Sequence, residues 1–281
     1  MRSNIPLVTV AVPSFNHGRY LNDALESIFA QRLPVEVFVM DGGSTDNSVS
    51  IIKKWEPHLA GWRSEPDGGQ AAAINAAIAL GTSPYVCWLN SDDWWLDNGL
   101  LALTQALQAE PEAAFAYGRA WNVSDPGGKV SAVWVRPFSR SQMAVRCLVS
   151  QPATLIRRSA WKQVAGLDES LHMAMDYDLW WRLSNTLGTA RFVDTYVAVN
   201  RDHDQTKTNA SRRLHYQEAM SVVRRHYGRV PLKWWLAQPY AVWYRSWQNR
   251  MVRASSSSVE LPPVQRSSVH YPGEQHLSDS I

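Results

Sequence analysis

Asn90-Ser91-Asp92-Asp93 is the stretch of this sequence best equipped for chemistry. Two adjacent carboxylates follow an apolar run, Tyr85-Val86-Cys87-Trp88-Leu89, and precede the aromatic pair Trp94-Trp95. The apolar run suits a strand packed on both faces. Buried carboxylates are costly without compensation, so the strand must end where they begin. In open α/β sheets, ligands sit at the carboxyl ends of strands, which is where these aspartates fall. Hard oxygen ligands there suit Mg²⁺ or Mn²⁺ shared with the phosphates of a substrate. For an isolated Ser-Asp-Asp, an Asx turn capping the next helix would suffice as explanation. The residues around it argue that it is not isolated.

Upstream, Asp41-Gly42-Gly43-Ser44-Thr45-Asp46 closes a second apolar run, Val35 to Met40. Its glycines permit a tight turn, and Ser44 or Thr45 can cap the helix that follows. A strand, a glycine-bearing turn and a helix start make a ready anion or nucleotide site. Gly-Gly-Ser is neither a Walker loop nor a dinucleotide fingerprint, and taken alone Asp41 is equally a turn residue. Asp67-Gly68-Gly69-Gln70 forms another turn cluster before an Ala-rich helix. Downstream, Asp176 stands near the start of a helical stretch whose apolar face is Leu179, Trp180 and Leu183. The helix dipole favours a carboxylate there, with or without chemistry. Of the eight histidines, only His203, in Asn200-Arg201-Asp202-His203-Asp204, draws interest, and its alternative is a surface-loop histidine.

The elements that must position these residues follow from periodicity. Strands are expected at 7–12, 35–40, 85–89, 114–117 and 192–199, with a strand or loop edge at 150–156. Helices are expected at 20–31, from 45 to 55, at 71–80, and from 97 to 109. Residues 121–135, with Asp125-Pro126-Gly127-Gly128 inside, read as a hairpin. Alternation of strand and helix implies parallel pairing with right-handed crossovers. Asp41 and Asp92/Asp93 would then end neighbouring strands on the same edge of one sheet. Residues 211–252 read as basic helices rich in Trp and Tyr, and 254–281 as a disordered tail.

A chain of 281 residues allows one α/β domain with an appendage, or two small domains. Apolar content of 45% is ample for a core, while charged content is 19% and there are 14 Trp. Cys87 and Cys147 make no disulfide framework, which points to a reducing compartment. The N-terminus lacks the apolar run of a signal peptide, and no run approaches the ~20 residues of a membrane span. The net charge of +3 hides an asymmetry: residues 1–200 carry 16 Lys/Arg against 19 Asp/Glu, and residues 201–253 carry 11 against 3.

Taken together, these motifs resemble the family-2 glycosyltransferases of the GT-A fold, over roughly residues 6–205. Val12-Pro13-Ser14-Phe15-Asn16 looks like that family's opening strand and loop. Met40 to Asp46 is similar to its nucleotide-base loop, which would set Asp41 against a uracil or thymine ring. Glu65 to Gln70 and the following helix resemble the next donor-binding segment. Asn90-Ser91-Asp92-Asp93 looks like its acidic motif, with Asp92 near the ribose and Asp93 on the metal. Ala174 to Arg182 is similar to the segment holding the general base, which maps onto Asp176, and His203 falls where some members place a histidine near the metal or diphosphate. Two positions depart from the pattern: Asn90 replaces Asp, and Met175 stands where many members carry Glu.

The resemblance implies an α/β fold with a Rossmann-like, mostly parallel central sheet flanked by helices. It implies a nucleotide-sugar-binding and catalytic domain over 1–205, followed by a basic, aromatic helical extension at 206–253 and the tail. The implied site is Pro13, Ser14, Asn16, Asp41, Asp67, Gln70, Asn90 and Asp92 for the UDP- or dTDP-linked donor, Asp93 and His203 for Mg²⁺ or Mn²⁺, and Asp176 as base. The implied reaction is inverting transfer of a sugar to an acceptor hydroxyl, on a glycan or a lipid-linked acceptor, in polysaccharide or glycolipid assembly. A nucleotidyltransferase would need basic residues around a triphosphate, and Lys is scarce before residue 200. A non-catalytic sugar-nucleotide-binding protein is the other alternative. No RNA-binding motif is present, so no nucleic-acid partner is expected. The expected location is the cytoplasm, with residues 206–253 touching the inner face of the membrane or, alternatively, packing their Trp residues on the domain.

Overall fold

The computed structural model describes residues 5–188, 190–203, 206, 211–238 and 266–272. Its strands are β1 (Val8–Ser14), β2 (Val35–Asp41), β3 (Gly61–Ser64), β4 (Tyr85–Trp88), β5 (Trp94–Trp95), β6 (Phe115–Ser124), β7 (Val130–Ala132), β8 (Thr154–Arg157) and β9 (Ala190–Asp202). Its helices are α1 (Gly18–Phe29), α2 (Ser48–Trp55), α3 (Gln70–Leu80), α4 (Gly99–Ala109), α5 (Arg140–Met143), α6 (Arg158–Gln163), α7 (Met175–Leu187), α8 (Arg212–Tyr227) and α9 (Leu232–Gln238). The strands form one nine-stranded sheet in the order β3-β2-β1-β4-β8-β6-β9-β5, with β7 beside β6. From β3 to β4 every pairing is parallel. Beyond β4 the sheet is mixed: β8 is antiparallel to β4 and β6, while β6 and β9 pair in parallel with register shifts between Tyr117 and Ala120.

Strand period 2 splits the core. Val8, Val10 and Val12 of β1 face the layer built on Leu21, Leu25 and Ile28 of α1 and Leu100, Leu103 and Leu107 of α4. Ala11 faces the other layer, with Ile74 and Ile78 of α3, Trp161 of α6, Trp180 and Leu183 of α7, and Val222 and Val223 of α8. In that layer Trp88 and Trp180 stack at 6.0 Å and Phe115 lies 5.2 Å from Trp180. Much of the Trp content is therefore core.

Three expectations need correction. Asp41 and the Asp92/Asp93 turn do not end neighbouring strands, because β1 lies between β2 and β4. The chain winds outward from β1 to β3 and then returns to β1's free edge. The turn thus opens at the β1/β4 switch point, where α/β sheets hold ligands. The runs at 114–117 and from 121 belong to one strand, β6, carried through its irregular register. The tail is not wholly irregular either. Residues Arg266–Ser268 form a turn, and Val269 and Tyr271 pack on a cluster of Trp94, Trp121, Val123 and Val199, with Trp94 Nε1 donating to Tyr271 OH at 3.1 Å. The reason is apolar area: Trp121 stacks on Tyr196 at 3.9 Å, and the tail covers this aromatic edge. The rest of 254–281, and the expected helical residues 239–252, lie outside the described residues.

Helix α8 is bolted to α7 by a buried ion network. Asp178 is 0% exposed and accepts from Arg182 Nε at 2.6 Å and from His226 Nε2 at 2.7 Å. Burial opposes its charge, but the His226 and Arg182 hydrogen bonds outweigh it and hold the carboxyl below its usual range. Removing one partner of a buried network strands the others. Asp178→Ala should therefore lose about 3 kcal/mol of stability at pH 7. A folded pKa below the unfolded value of about 3.9 stabilises at neutral pH, and that contribution disappears as pH falls through the folded value. In urea titrations the gap between wild type and variant should be full at pH 7 and shrink below about pH 4.

Candidate functional site

Three loops meet at the carboxyl end of the parallel half. The first leaves β1 at Ser14 and enters α1 at Gly18. The second leaves β2 at Asp41 and enters α2 at Ser48. They interlock: Asn16 N donates to Ser44 Oγ at 2.7 Å, Thr45 N to Asn16 Oδ1 at 2.8 Å, and Gly18 N to Asp46 Oδ2 at 2.9 Å. A Cβ on Gly18 would lie 2.0 Å from Asn47 Oδ1, so only glycine permits the close approach. Asp41 is buried and accepts from Ser44 N and Ser64 Oγ through Oδ2, and from Ser44 Oγ through Oδ1. Asp67 accepts from Gly69 N at 2.7 Å and lies close to Gly42. Pro13 is buried within β1, and the buried Ser14 hydroxyl finds no hydrogen-bond partner among the described residues. Phe15, 58% exposed, closes this corner beside Gly42.

The third loop is the acidic turn. Asn90 sits at its hub: Oδ1 accepts from Gln70 Nε2 at 2.7 Å, while Nδ2 donates to Asp93 Oδ2 and to Gln151 Oε1, each at 3.1 Å. An amide has the two donors this position uses; a carboxylate has none. That accounts for Asn90 where an Asp was expected. Arg201, 2% exposed, backs the turn: its N–H donates to Asp93 Oδ1, its Nε to the Asp92 carbonyl, and its Nη2 to Asp23. Tyr20 and Trp94 flank its guanidinium at 4.7 and 4.6 Å. β9 thus delivers Arg201 and, two residues later, His203.

His17, Asp92 and His203 form the one group among the described residues that could hold a metal ion, each offering a ligand atom within 4.8 Å of the others. His203 Nε2 lies 3.1 Å from Asp92 Oδ2, and His17 Nδ1 lies 2.8 Å from Ser91 Oγ. Asp93 lies outside the group, its oxygens engaged by Arg201 and Asn90. Burial works against charge on Asp92, yet the His203 hydrogen bond and the charges of His17 and His203 hold it low. Burial and the charge of Asp92 push Asp93 well above the usual carboxylate range. One carboxylate is thus biased toward its charged form and its neighbour toward its neutral form. His17 and Arg201 were not singled out in sequence. His17 follows Asn16 unremarkably, and only the β1/β4 adjacency brings it to Asp92.

Asp176 stands apart, on the first turn of α7. Its Oδ1 accepts from Tyr177 N at 2.7 Å, and burial raises its pKa against the pull of that bond and of His215. Tyr177 OH donates to the Met143 carbonyl. Burial and the charge of Asp176 push the Cys147 thiol up, and four residues on, Gln151 bonds Asn90. Four residues span at most about 14 Å, so the base candidate and the acidic turn flank a short common segment.

Residues 9–162 match the family described as Glycosyl transferase family 2. Chondroitin synthase of Pasteurella multocida (strain Pm70) is 28% identical over 184 residues, 64% of this chain and 19% of that protein. The chain thus spans about a fifth of the length of that relative. Among solved structures, S. aureus TarS 1-349 in complex with UDP-GlcNAc superposes with TM-score 0.65 at 17% identity, covering 89% of this chain and 74% of that one. The mannosyltransferase PcManGT from Pyrobaculum calidifontis, in complex with GDP-Man and Mn2+, superposes with TM-score 0.62 at 20% identity, covering 92% and 77%. These superpositions identify the fold as GT-A.

Two imidazoles with one carboxylate make a mixed nitrogen and oxygen donor set for a divalent cation. In Mn²⁺ titrations followed by electron paramagnetic resonance, Asp92→Asn and His203→Ala should each weaken binding at least about tenfold. Asp93→Asn should bind Mn²⁺ nearly as wild type; the opposite pattern would return the metal to Asp93.

Proposed function

This chain belongs to glycosyl transferase family 2, and we propose that it transfers one sugar, with inversion, from a UDP- or dTDP-linked donor to an acceptor hydroxyl. The observation that carries this reading is the convergence at the β1/β4 switch point of the corner lined by Phe15, Asp41 and Asp67 with the His17–Asp92–His203 group. In the corner, Phe15 offers an exposed ring for a base to stack on, and Asp41 and Asp67 offer acceptors for its ring N–H and the ribose. Gln70 and Asn90 hold the acidic turn toward the diphosphate. Mn²⁺ or Mg²⁺ held by Asp92, His17 and His203 would neutralise the leaving diphosphate.

Asp176 is the base. The acceptor hydroxyl is a weak acid, and a carboxylate raised by burial takes its proton as oxygen attacks the anomeric carbon. The sugar–phosphate bond breaks with its electron pair going to the diphosphate, and a single displacement inverts the centre. The chondroitin synthase relative supports assembly of a cell-surface or extracellular glycan as the setting. The enzyme class replaces the nucleotidyltransferase and non-catalytic alternatives.

We further infer peripheral contact with the cytoplasmic face of a membrane. No helix among the described residues is long and apolar enough to cross one. In α9, Trp234 turns inward, its Nε1 donating to the Ala144 carbonyl at 2.8 Å. Leu232 (70% exposed), Trp235 (49%) and Leu236 (72%) turn outward beside exposed Arg229 and Lys233. That face suits an anionic leaflet bearing a lipid-linked acceptor, each cation adding about 1 kcal/mol. The remaining expected aromatics and cations, Tyr240, Trp243, Tyr244, Arg245, Trp247 and Arg250, lie outside the described residues.

A panel of UDP-, dTDP- and GDP-sugars with Mn²⁺ or Mg²⁺, read by thermal shift and nucleotide release, tests the donor reading; silence across the panel would overturn it. Asp176→Asn should bind the donor and lose transfer by a factor on the order of 10²–10⁴. Because Asp176 must be unprotonated and its pKa is raised, kcat should fall with decreasing pH through a value above the usual 3.8 of this carboxyl. Wild-type transfer in Asp176→Asn would reduce Asp176 to a helix-end carboxylate. With vesicles of anionic phospholipid at low salt, the wild type should co-sediment and the Trp235→Ala/Leu236→Ala variant should stay in solution. Equal partitioning of the two would place membrane contact elsewhere or nowhere.

A further inference from the structure

The base candidate is the second residue of α7, so its position depends on how that helix begins. Helix α7 starts without a side-chain cap from its own N-cap residue, Ala174. The chain before it, from Gly166 to Met173, is turns and bends anchored at Leu167, whose N–H donates to Asn75 Oδ1 at 2.9 Å and whose carbonyl accepts from Asn75 Nδ2 at 3.0 Å. No side chain of this stretch caps the amides that open the helix. A residue 42 positions beyond Asp176 does so: Glu218 of α8 accepts from His172 N through Oε1 at 3.1 Å, and from Met173 N and Ala174 N through Oε2 at 2.7 and 3.0 Å. Three consecutive amides converging on one carboxylate make an anion nest.

The same face of α8 supplies the rest of the contact. His215, Glu218, Ala219, Val222 and His226 recur at helical spacing. Ala219 and Val222 are buried in the core with Trp180 and Leu183. His226 bonds Asp178 two residues after the base. Helix α8 therefore grips the first turn of α7 on both sides of Asp176, through Glu218 before it and His226 behind it.

We propose that Glu218 is a positioning residue for the transfer reaction, fixing residues 172–174 and through them the Asp176 carboxylate. The inference rests on Asp176 being the base. Without the nest's anion the three amides would turn to water, the first turn of α7 would fray, and the carboxylate would lose its place. A displacement of about 1 Å at a reacting group costs on the order of 10²-fold in rate.

Glu218→Gln is the test, because it keeps the volume but sets an N–H₂ against at least one of the three backbone N–H groups that need an acceptor. Amide exchange at His172, Met173 and Ala174 should speed up at least about tenfold, with the melting temperature nearly unchanged. With the donor found in the sugar panel, kcat for nucleotide release should fall about 10²-fold while the donor KM and Mn²⁺ affinity stay within about twofold of wild type. A residue that only stabilises the fold would leave kcat untouched below the melting temperature. If Glu218→Gln does not fold, Glu218→Asp, which retracts the carboxylate by one methylene, is read the same way. Unchanged exchange at residues 172–174 overturns the proposal, as does unchanged kcat. Asp176→Asn is measured in parallel. If it transfers at the wild-type rate, the base assignment fails; if it is inactive while Glu218→Gln is normal, only the role of Glu218 fails.

Discussion

Two adjacent carboxylates at the mouth of a buried strand are the constraint on which this molecule is built. Their mutual repulsion and desolvation would be costly if both stayed charged and unpartnered. The structure separates them. Asp93 turns toward the Arg201 amide and Asn90 and is driven toward its neutral form, while Asp92 keeps its charge between two imidazoles. Arg201 is in turn held by Asp23, Tyr20 and Trp94, which draws α1, β5 and β9 to one point. The long β9 strand and its irregular pairing with β6 serve this arrangement, since they bring Arg201 and His203 to the turn.

The parallel half of the fold was legible because its physics is local. Apolar runs of strand length end at glycine-bearing turns, and α1 announces itself through Leu21, Leu25 and Ile28. The order of strands was less legible. That β4 returns to the free edge of β1, and that β8 enters antiparallel, depends on pairings distant in sequence. Short or exposed strands such as β3 and the two-residue β5 carry too little pattern to be seen. β6 reads as two pieces because its register shifts between Tyr117 and Ala120.

The same distinction separates the readable site residues from the others. Asp41, Gln70, Asn90, Asp92, Asp93, Asp176 and His203 belong to motifs whose composition is unusual for a plain turn. His17 and Arg201 are ordinary in their local contexts and gain meaning only when β1, β4 and β9 meet. The C-terminal helices gave a mixed signal for a physical reason: adjacent tryptophans on one helix point in opposite directions. Trp234 belongs to the core contact with Ala144, and Trp235 to the surface, so neither packing nor exposure describes the pair.

For the donor site proposed above, the interlock of the first two loops governs how nucleotide preference can change. Asn16, Gly18, Ser44, Thr45 and Asp46 share hydrogen bonds across 28 or 29 residues of chain, and Gly18 leaves no room for a side chain against Asn47. Residues that share partners do not act additively when replaced. Substitutions in either loop will therefore show strong epistasis with the other. An altered nucleotide preference is reached by recombining both loops as one cassette, whereas stepwise change must pass through intermediates in which neither loop is held.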